Sequence, residues 1–392
     1  MDRTSQRRGL RGALLFLLMT GCTLECGAQK QPSFEVSRER ALGLDMLVSA
    51  IGPFHSSPYT AKSGLVWSRV VIHPSVVTSI RVHVRIAQAE TRAAWRLVFK
   101  DLQGTEVEKF DTKSVMARAG DFWSDEIHGR GARVELWTDD DPTGFDVVVD
   151  QYAYRTEVSF PQAIFGKDDR LPIGSAPRGV QGWGGPVARL RFMVSGAGQA
   201  LCTGFLVTDD WLLTNEHCLR TSSELLSAVV EFGFETYASS PDRFRVDGFV
   251  VPPNAELDYS LVRLAGRPGL KYGKATLARA EDLSERMALV IVQHPAGQPK
   301  QVSIEDCVVA GAHRRGRGEA LTDFGHQCDT LGGSSGSPIF EFGTGTVVGL
   351  HHLGFTEGSP DPVNQGVYVS LILRDLQTRY PDVYRAVTQP SP

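Results

Sequence analysis

Long apolar runs are missing after the N-terminal segment: no stretch of about 18 apolar residues is left there to form a membrane-spanning helix. An excess of one charge is missing too. The 41 Lys and Arg stand against 45 Asp and Glu, a net charge of −4, so there is no global electrostatic case for nucleic acid or an anionic membrane surface. Cysteine is scarce, six in 392 residues, and no C-x-x-C pair or Cys/His cluster supports a zinc site. What is abundant is glycine (40) and proline (21), set between many short alternating apolar segments. That texture favours an all-β chain over a helical one, and the length leaves room for two domains.

The first 28 residues read as a signal peptide. Arg3, Arg7, Arg8 and Arg11 precede the apolar stretch Ala13 to Met19, followed by small residues. Two cleavage readings stay open. Thr20-Gly21-Cys22 has the form of a bacterial lipobox, in which Cys22 would carry lipid, although Met19 is weaker than Leu at the preceding position. Cys26-Gly27-Ala28 has the small-x-small form of an ordinary signal-peptidase site. Both place the mature protein outside the cytoplasm, secreted, periplasmic or lipid-anchored at a bacterial cell envelope, where disulfides are permitted. A lipid anchor would be its sole membrane contact. Cys202, Cys218, Cys307 and Cys328 remain, and four cysteines allow three pairings.

After a polar stretch around 29–65, strand patterns begin. Ile80 to Ile86 alternates without a break, one face apolar and the other basic or polar. Similar segments follow at Trp95–Phe99, Val107–Phe110, Val134–Trp137 and Val147–Tyr152, separated by turn clusters. The spacing predicts a β-sandwich over 60–160, an accessory domain or pro-region. It holds no catalytic constellation. Asp139-Asp140-Asp141 reads as a solvated turn rather than a calcium site, and Trp123 and Trp137 as core or rim aromatics. Residues 161–185, rich in Gly, Pro and charge, read as a linker. A second strand series occupies 186–388 and closes with a helix carrying Leu371, Leu373, Leu376 and Tyr380, stopped by Pro381.

The chemistry lies in this second series. Leu213-Thr214-Asn215-Glu216-His217-Cys218, then Leu257-Asp258-Tyr259-Ser260-Leu261-Val262, then Gly332-Gly333-Ser334-Ser335-Gly336-Ser337-Pro338 supply His, Asp and Ser in that order. An α/β-hydrolase would run Ser, Asp, His and a subtilisin-type site Asp, His, Ser. A hydroxyl is a poor nucleophile at neutral pH and needs a base, a carboxylate to orient that base, and donors for the oxyanion. Gly333 removes the Cβ that would obstruct such donors, so the Gly333 and Ser335 amides are the expected oxyanion hole. Ser334 and Ser337 are rival nucleophiles by type, but neither has glycine two before and one after. Glu256 and Asp247 are the nearest substitutes for Asp258.

Cys202-Thr203-Gly204-Phe205-Leu206-Val207, the His217 and Asp258 segments, the Ser335 motif and Gly366-Val367-Tyr368 together resemble the trypsin/chymotrypsin fold family over about 186–385. The resemblance implies two β-barrels and a serine endopeptidase acting on proteins or peptides without metal or cofactor. Ser335 would be the nucleophile, His217 the base and Asp258 its orienter. It also implies the pair Cys202–Cys218, which leaves Cys307 with Cys328. Animal trypsins carry Asp immediately before the nucleophile; here it is Ser334, so that activation switch is absent. The G-S-S-G-S-P form looks instead like the bacterial branch that includes glutamyl endopeptidases. Thr330 and His351, with Gly354, would then line a pocket for a substrate carboxylate. Asp329 competes with that reading, since trypsins place an aspartate there for Lys or Arg; it would otherwise pair with His351 or brace its own loop. The remaining alternative is a binding or anchor protein in which cleavage is dispensable. The oligomeric state is not encoded in any of these features.

Overall fold

The computed structural model describes residues 44–89, 93–114, 120–155, 162–279, 283–355 and 362–389; the signal segment with Cys22 and Cys26 lies outside them. The described chain is mostly β. Its first unit is a two-layer sandwich. One layer orders strands Gly64–Ile72, Gly131–Thr138, Trp95–Lys100 and Glu106–Asp111. The other places Phe145–Arg155 between Leu44–His55 and Ser79–Ala89, with Asp121–Trp123 beyond. Val66, Leu97, Phe99 and Leu136 from the first layer meet Val82, Val84, Val147 and Val149 from the second in one core.

One detail departs from the sequence reading and a second goes beyond it. Strand Leu44–His55 falls in the stretch taken as polar, and it links sandwich to barrel: it pairs with Phe145–Arg155 on one side and, at Leu44 and Leu47, with Ala200 and Gly198 on the other. Gly198 permits that junction, because a Cβ there would sit 1.9 Å from the Met46 carbonyl oxygen. Secondly, the basic face of Ser79–Ala89 is covered at Arg81 and His83 and meets solvent only at its Arg85 end. Arg81 is fully buried, its guanidinium donating to the Ser124 carbonyl (2.7 Å), Gln199 Oε1 (2.8 Å) and the Ser227 carbonyl (2.8 Å).

Six strands then close a barrel: Val187–Val194, Val229–Phe232, Asp242–Phe249, Ser260–Leu264, Trp211–Thr214 and Gly198–Leu206, which returns to Val187–Val194. A second, seven-strand sheet runs Leu171–Pro172, Gln301–Ser303, Leu289–Gln293, Pro338–Glu341, Val347–Leu353, Asn364–Tyr368 and Asp323–His326. Bridges Ala288–Val308 and Val309–His326 curl it into a second barrel. Phe205, Leu213 and Leu261 from the first barrel pack with Val290, Val292 and Val367 from the second, and helix Val369–Arg379 adds Ile372, Leu373 and Leu376 to the same core. Pro381 stops that helix as expected and opens another, Pro381–Thr388.

The segment expected to be a linker is a correction. Gln162–Ala163 pairs with Thr330–Leu331, Leu171–Pro172 pairs with Gln301–Val302, and Ile173, Ala176 and Val180 are buried between the barrels. Of its glycines, Gly184 and Gly185 are closely packed, where a Cβ would come within 3.0 Å of Ile173 Cδ1 and 2.6 Å of the Tyr272 carbonyl oxygen. Disulfides join Cys202 to Cys218 and Cys307 to Cys328, in keeping with an extracytoplasmic protein. Among the described residues no helix is long and apolar enough to cross a membrane.

Candidate active site

His217 follows strand Trp211–Thr214 in a turn fixed to the barrel by the Cys202–Cys218 disulfide. A crosslink closing a loop of this size contributes roughly 3 kcal/mol in the chain-entropy account. Asp258 precedes strand Ser260–Leu264 with a left-handed φ of 45°, and its carbonyl accepts Asn215 Nδ2–H at 2.9 Å. This bend aims the carboxylate inward. Oδ1 accepts the His217 backbone N–H at 3.0 Å and Oδ2 faces His217 Nδ1 at 2.8 Å. Asp258 is fully buried, which opposes ionisation, but His217 and then His352 outweigh burial and hold its carboxyl far below the usual carboxylate range. With its proton on Nδ1, His217 presents a lone pair at Nε2. Glu256 and Asp247 are both exposed.

The serine turn sits across from this pair. Gly333 and Gly336 take left-handed φ values of 98° and 86°. A Cβ on Gly336 would lie 2.0 Å from the Thr203 carbonyl oxygen and 2.4 Å from Thr214 Oγ1. Thr203 holds the turn, its N–H donating to the Ser335 carbonyl (2.8 Å) and its hydroxyl to the Gly333 carbonyl (2.9 Å). The Gly332 carbonyl accepts Ala296 N–H at 2.6 Å, so in a trans peptide the Gly333 N–H faces the opposite way. Ser334 and Ser337 are fully buried. Ser334 Oγ accepts Leu331 N–H and Ser337 Oγ donates to the Ser334 carbonyl. Ser335 alone of the three is partly open to solvent. Its carbonyl oxygen lies 4.0 Å from Cys218 Sγ, one residue from His217. A hydrogen bond between Ser335 Oγ and His217 is not among the described contacts. Cys202, Cys218 and His217 are spaced as a metal site would be, but both sulfurs are in the disulfide.

The pocket candidates separate into two groups. His351 is buried and its Nδ1 faces His326 Nε2 at 3.1 Å. His326 Nδ1 accepts Cys328 N–H, so His326 carries its proton on Nε2 and donates to His351, leaving the His351 proton on Nε2. Burial, then neighbouring imidazoles, push His351 well below the usual histidine range; burial and His352 bring His326 down to about 3. Thr330 Oγ1 accepts Asn364 Nδ2–H at 3.1 Å, and Gly354 is exposed nearby, where a Cβ would lie 3.6 Å from Asn364 Oδ1. Asp329 is turned elsewhere, its oxygens accepting Phe165 N–H (2.7 Å) and Asp169 N–H (3.1 Å).

Sequence reading passed over His352, Asp323, Arg317 and His326. Along strand Val347–Leu353 successive side chains point to opposite faces, so His351 meets His326 while His352 reaches Asp258. That alternation was the available signal. Arg317 lies against the same carboxylate, Nε 3.2 Å from Asp258 Oδ2, and its Nη1 donates to Glu216 at 3.0 Å.

Several known proteins are similar to this chain. The chain is 32% identical over 166 residues to the Uncharacterized protein y4fB of Sinorhizobium fredii (strain NBRC 101917 / NGR234), covering 39% of this chain and 25% of that one. It is 27% identical over 266 residues to the Secreted RxLR effector protein 73 of Plasmopara viticola, covering 60% and 65%. It thus spans less than two thirds of either relative. Similar solved structures include a Glu endopeptidase in complex with MPD, at 19% identity and a TM-score of 0.41, covering 55% of this chain and 97% of that one. The HtrA-type protease AlgW with a tripeptide is similar at 14% identity and a TM-score of 0.39, covering 50% and 62%. Residues 202–350, which include His217, Asp258 and Ser335, match the family model of the trypsin-like peptidase domain.

Proposed function

We propose that the protein is an exported serine endopeptidase with Ser335 as nucleophile, His217 as base and Asp258 as its orienter. The observation that carries this reading is His217, bonded through Nδ1 to a buried carboxylate, beside a glycine-framed turn whose one accessible serine is Ser335. In this mechanism Ser335 Oγ attacks the scissile carbonyl carbon and its proton passes to His217 Nε2. The Gly333 and Ser335 amides hold the oxyanion. His217 returns the proton to the leaving amine, and a water activated by the same imidazole then hydrolyses the acyl-enzyme. The two disulfides and the word secreted in the name of the Plasmopara relative support export.

The same reading assigns a preference for Glu before the scissile bond. A neutral His351 with its proton on Nε2 is a donor that a carboxylate can engage in competition with the nearby Gln365 carbonyl. Such a charge-assisted bond is worth roughly 1.5–3 kcal/mol, about a 10- to 150-fold preference. The Lys/Arg alternative loses its support because both Asp329 oxygens are engaged by backbone N–H groups. Cleavage of a mixed peptide library is the test. Glu is expected before the cut, and His351→Ala should remove that preference while sparing acylation by small reactive esters. Cutting after Lys or Arg would refute the assignment.

A further inference from the structure

The Asp258 carboxylate carries one imidazole more than a Ser-His-Asp site requires. His352 Nδ1 lies 3.0 Å from Asp258 Oδ2, the oxygen that also faces His217 Nδ1. At its other end His352 Nε2 lies 2.6 Å from Asp323 Oδ2, and Asp323 Oδ1 accepts the Thr322 hydroxyl at 2.8 Å. Both ring nitrogens of His352 therefore face carboxylate oxygens. A neutral imidazole has a single N–H, so either tautomer would press a lone pair against one of those oxygens. The imidazolium, with two N–H groups, satisfies both. Asp258 and Asp323 are wholly buried and His352 nearly so, which keeps the cluster out of contact with bulk solvent and makes a mismatch costly.

We propose that His352, held by Asp323, is a positioning residue that clamps Asp258 and tunes His217 through it, forming a relay Asp323–His352–Asp258–His217. This rests on the peptidase reading above and extends it. Donors from His217 and His352 converge on Asp258 Oδ2 while the His217 amide holds Oδ1, so the carboxylate plane cannot rotate. The charged groups around the clamp are Arg317 with Glu216 on the Asp258 side, His217 itself, and the neutral His326 and His351. A cation on Asp258 offsets part of the charge that favours protonated His217. Burial opposes the His352 charge, but Asp323 and the hydrogen bonds to both carboxylates raise its pKa to about 9. The raised value means the clamp is intact below the ordinary imidazole range and is lost as pH rises through about 9.

The test is the pH dependence of kcat and kcat/KM on a chromogenic peptide for the full chain, His352→Gln and Asp323→Asn, each checked for native circular dichroism. Wild type should lose kcat above about pH 9. In His352→Gln, whose amide donates without titrating, that alkaline limb should vanish and the acidic limb should move to higher pH. Its kcat at neutral pH should fall by less than the roughly 10,000-fold loss seen when an orienting carboxylate is replaced by its amide, with KM unchanged. In Asp323→Asn the alkaline limb should move to lower pH. Unchanged limbs in both folded variants would overturn the proposal. Titrating the His352 ring by NMR in full-length Ser335→Ala separates it from the peptidase reading: a ring still protonated well above pH 7 supports the clamp even in an inactive protein. A ring titrating near its ordinary 6.5 overturns it, and also decides the matter if His352→Gln does not fold.

Discussion

Asp329 lies six residues before Ser335, yet its carboxylate is tied to the backbone of residues 165–169 and its carbonyl accepts from Gln293 Nε2 and Ser303 Oγ. Burial and the Asp329 charge raise the neighbouring Asp169 to about 6, so this corner already holds more negative charge than it accommodates. Asp329→Ala should leave two amides without an acceptor and cost about 1–3 kcal/mol. Thermal unfolding should show the loss and a peptide library should show unchanged residue ranking. A preference for Lys or Arg that disappears with the carboxylate would contradict this. The contrast with His217 explains what could be read in advance. His217, Asp258 and Ser335 each sit in a local frame of neighbours that serves one task. His352 and Asp323 lie 29 residues apart in unremarkable surroundings, and only the strand pairing brings them onto Asp258.

Among the elements, the Gly332–Ser337 turn is the most constrained. Gly336 has a φ of 86° and no room toward Thr203 and Thr214, so Gly336→Ala must push the Ser335 backbone away from the first barrel. A displacement near 1 Å costs about 100-fold in rate. Gly336→Ala should therefore acylate at least that much more slowly, whereas exposed Gly343→Ala, whose new Cβ comes no nearer than 3.8 Å to its surroundings, should behave as wild type. Burst kinetics with an activated ester reads both, and equal rates would count against the turn geometry. Strand periodicity made most of the β elements legible because alternation survives in a one-sided sheet. It separated the two faces of Ser79–Ala89 but not the docking of Arg81 onto Gln199 and Ser227 of another unit, because alternation reports faces and not what covers them. It passed over Leu44–His55, whose apolar residues were read together with the polar stretch around them.

At the scale of the whole chain, the sandwich and the first barrel share a buried ionic seam. Fully buried Arg191 on the barrel donates to Glu231 (2.9 Å), Glu126 (2.7 Å) and Asp125 (3.1 Å), the last two from the sandwich. Arg243 reaches Asp125 at 3.2 Å, and Arg245 reaches Glu108. Burial opposes the Glu126 charge, but Arg191 and Arg155 outweigh it and lower its pKa to about 2. Removing one partner of such a network leaves buried charge uncompensated, at a cost of about 3–5 kcal/mol. Arg191→Met should lose stability on that scale in denaturant unfolding. A fragment beginning at residue 162 should not yield a soluble, active protease, which argues for a fixed accessory domain over a pro-region that is shed. Recovery of full activity in that fragment would contradict this.

The central claim, nucleophilic catalysis at Ser335, is tested most directly by labelling the intact protein with a fluorophosphonate and mapping the adduct by mass spectrometry. The expected result is a single adduct on Ser335, absent in Ser335→Ala, with turnover lowered on the order of a million-fold in that variant. An adduct on Ser334 or Ser337, or undiminished peptide hydrolysis by Ser335→Ala, would contradict the account.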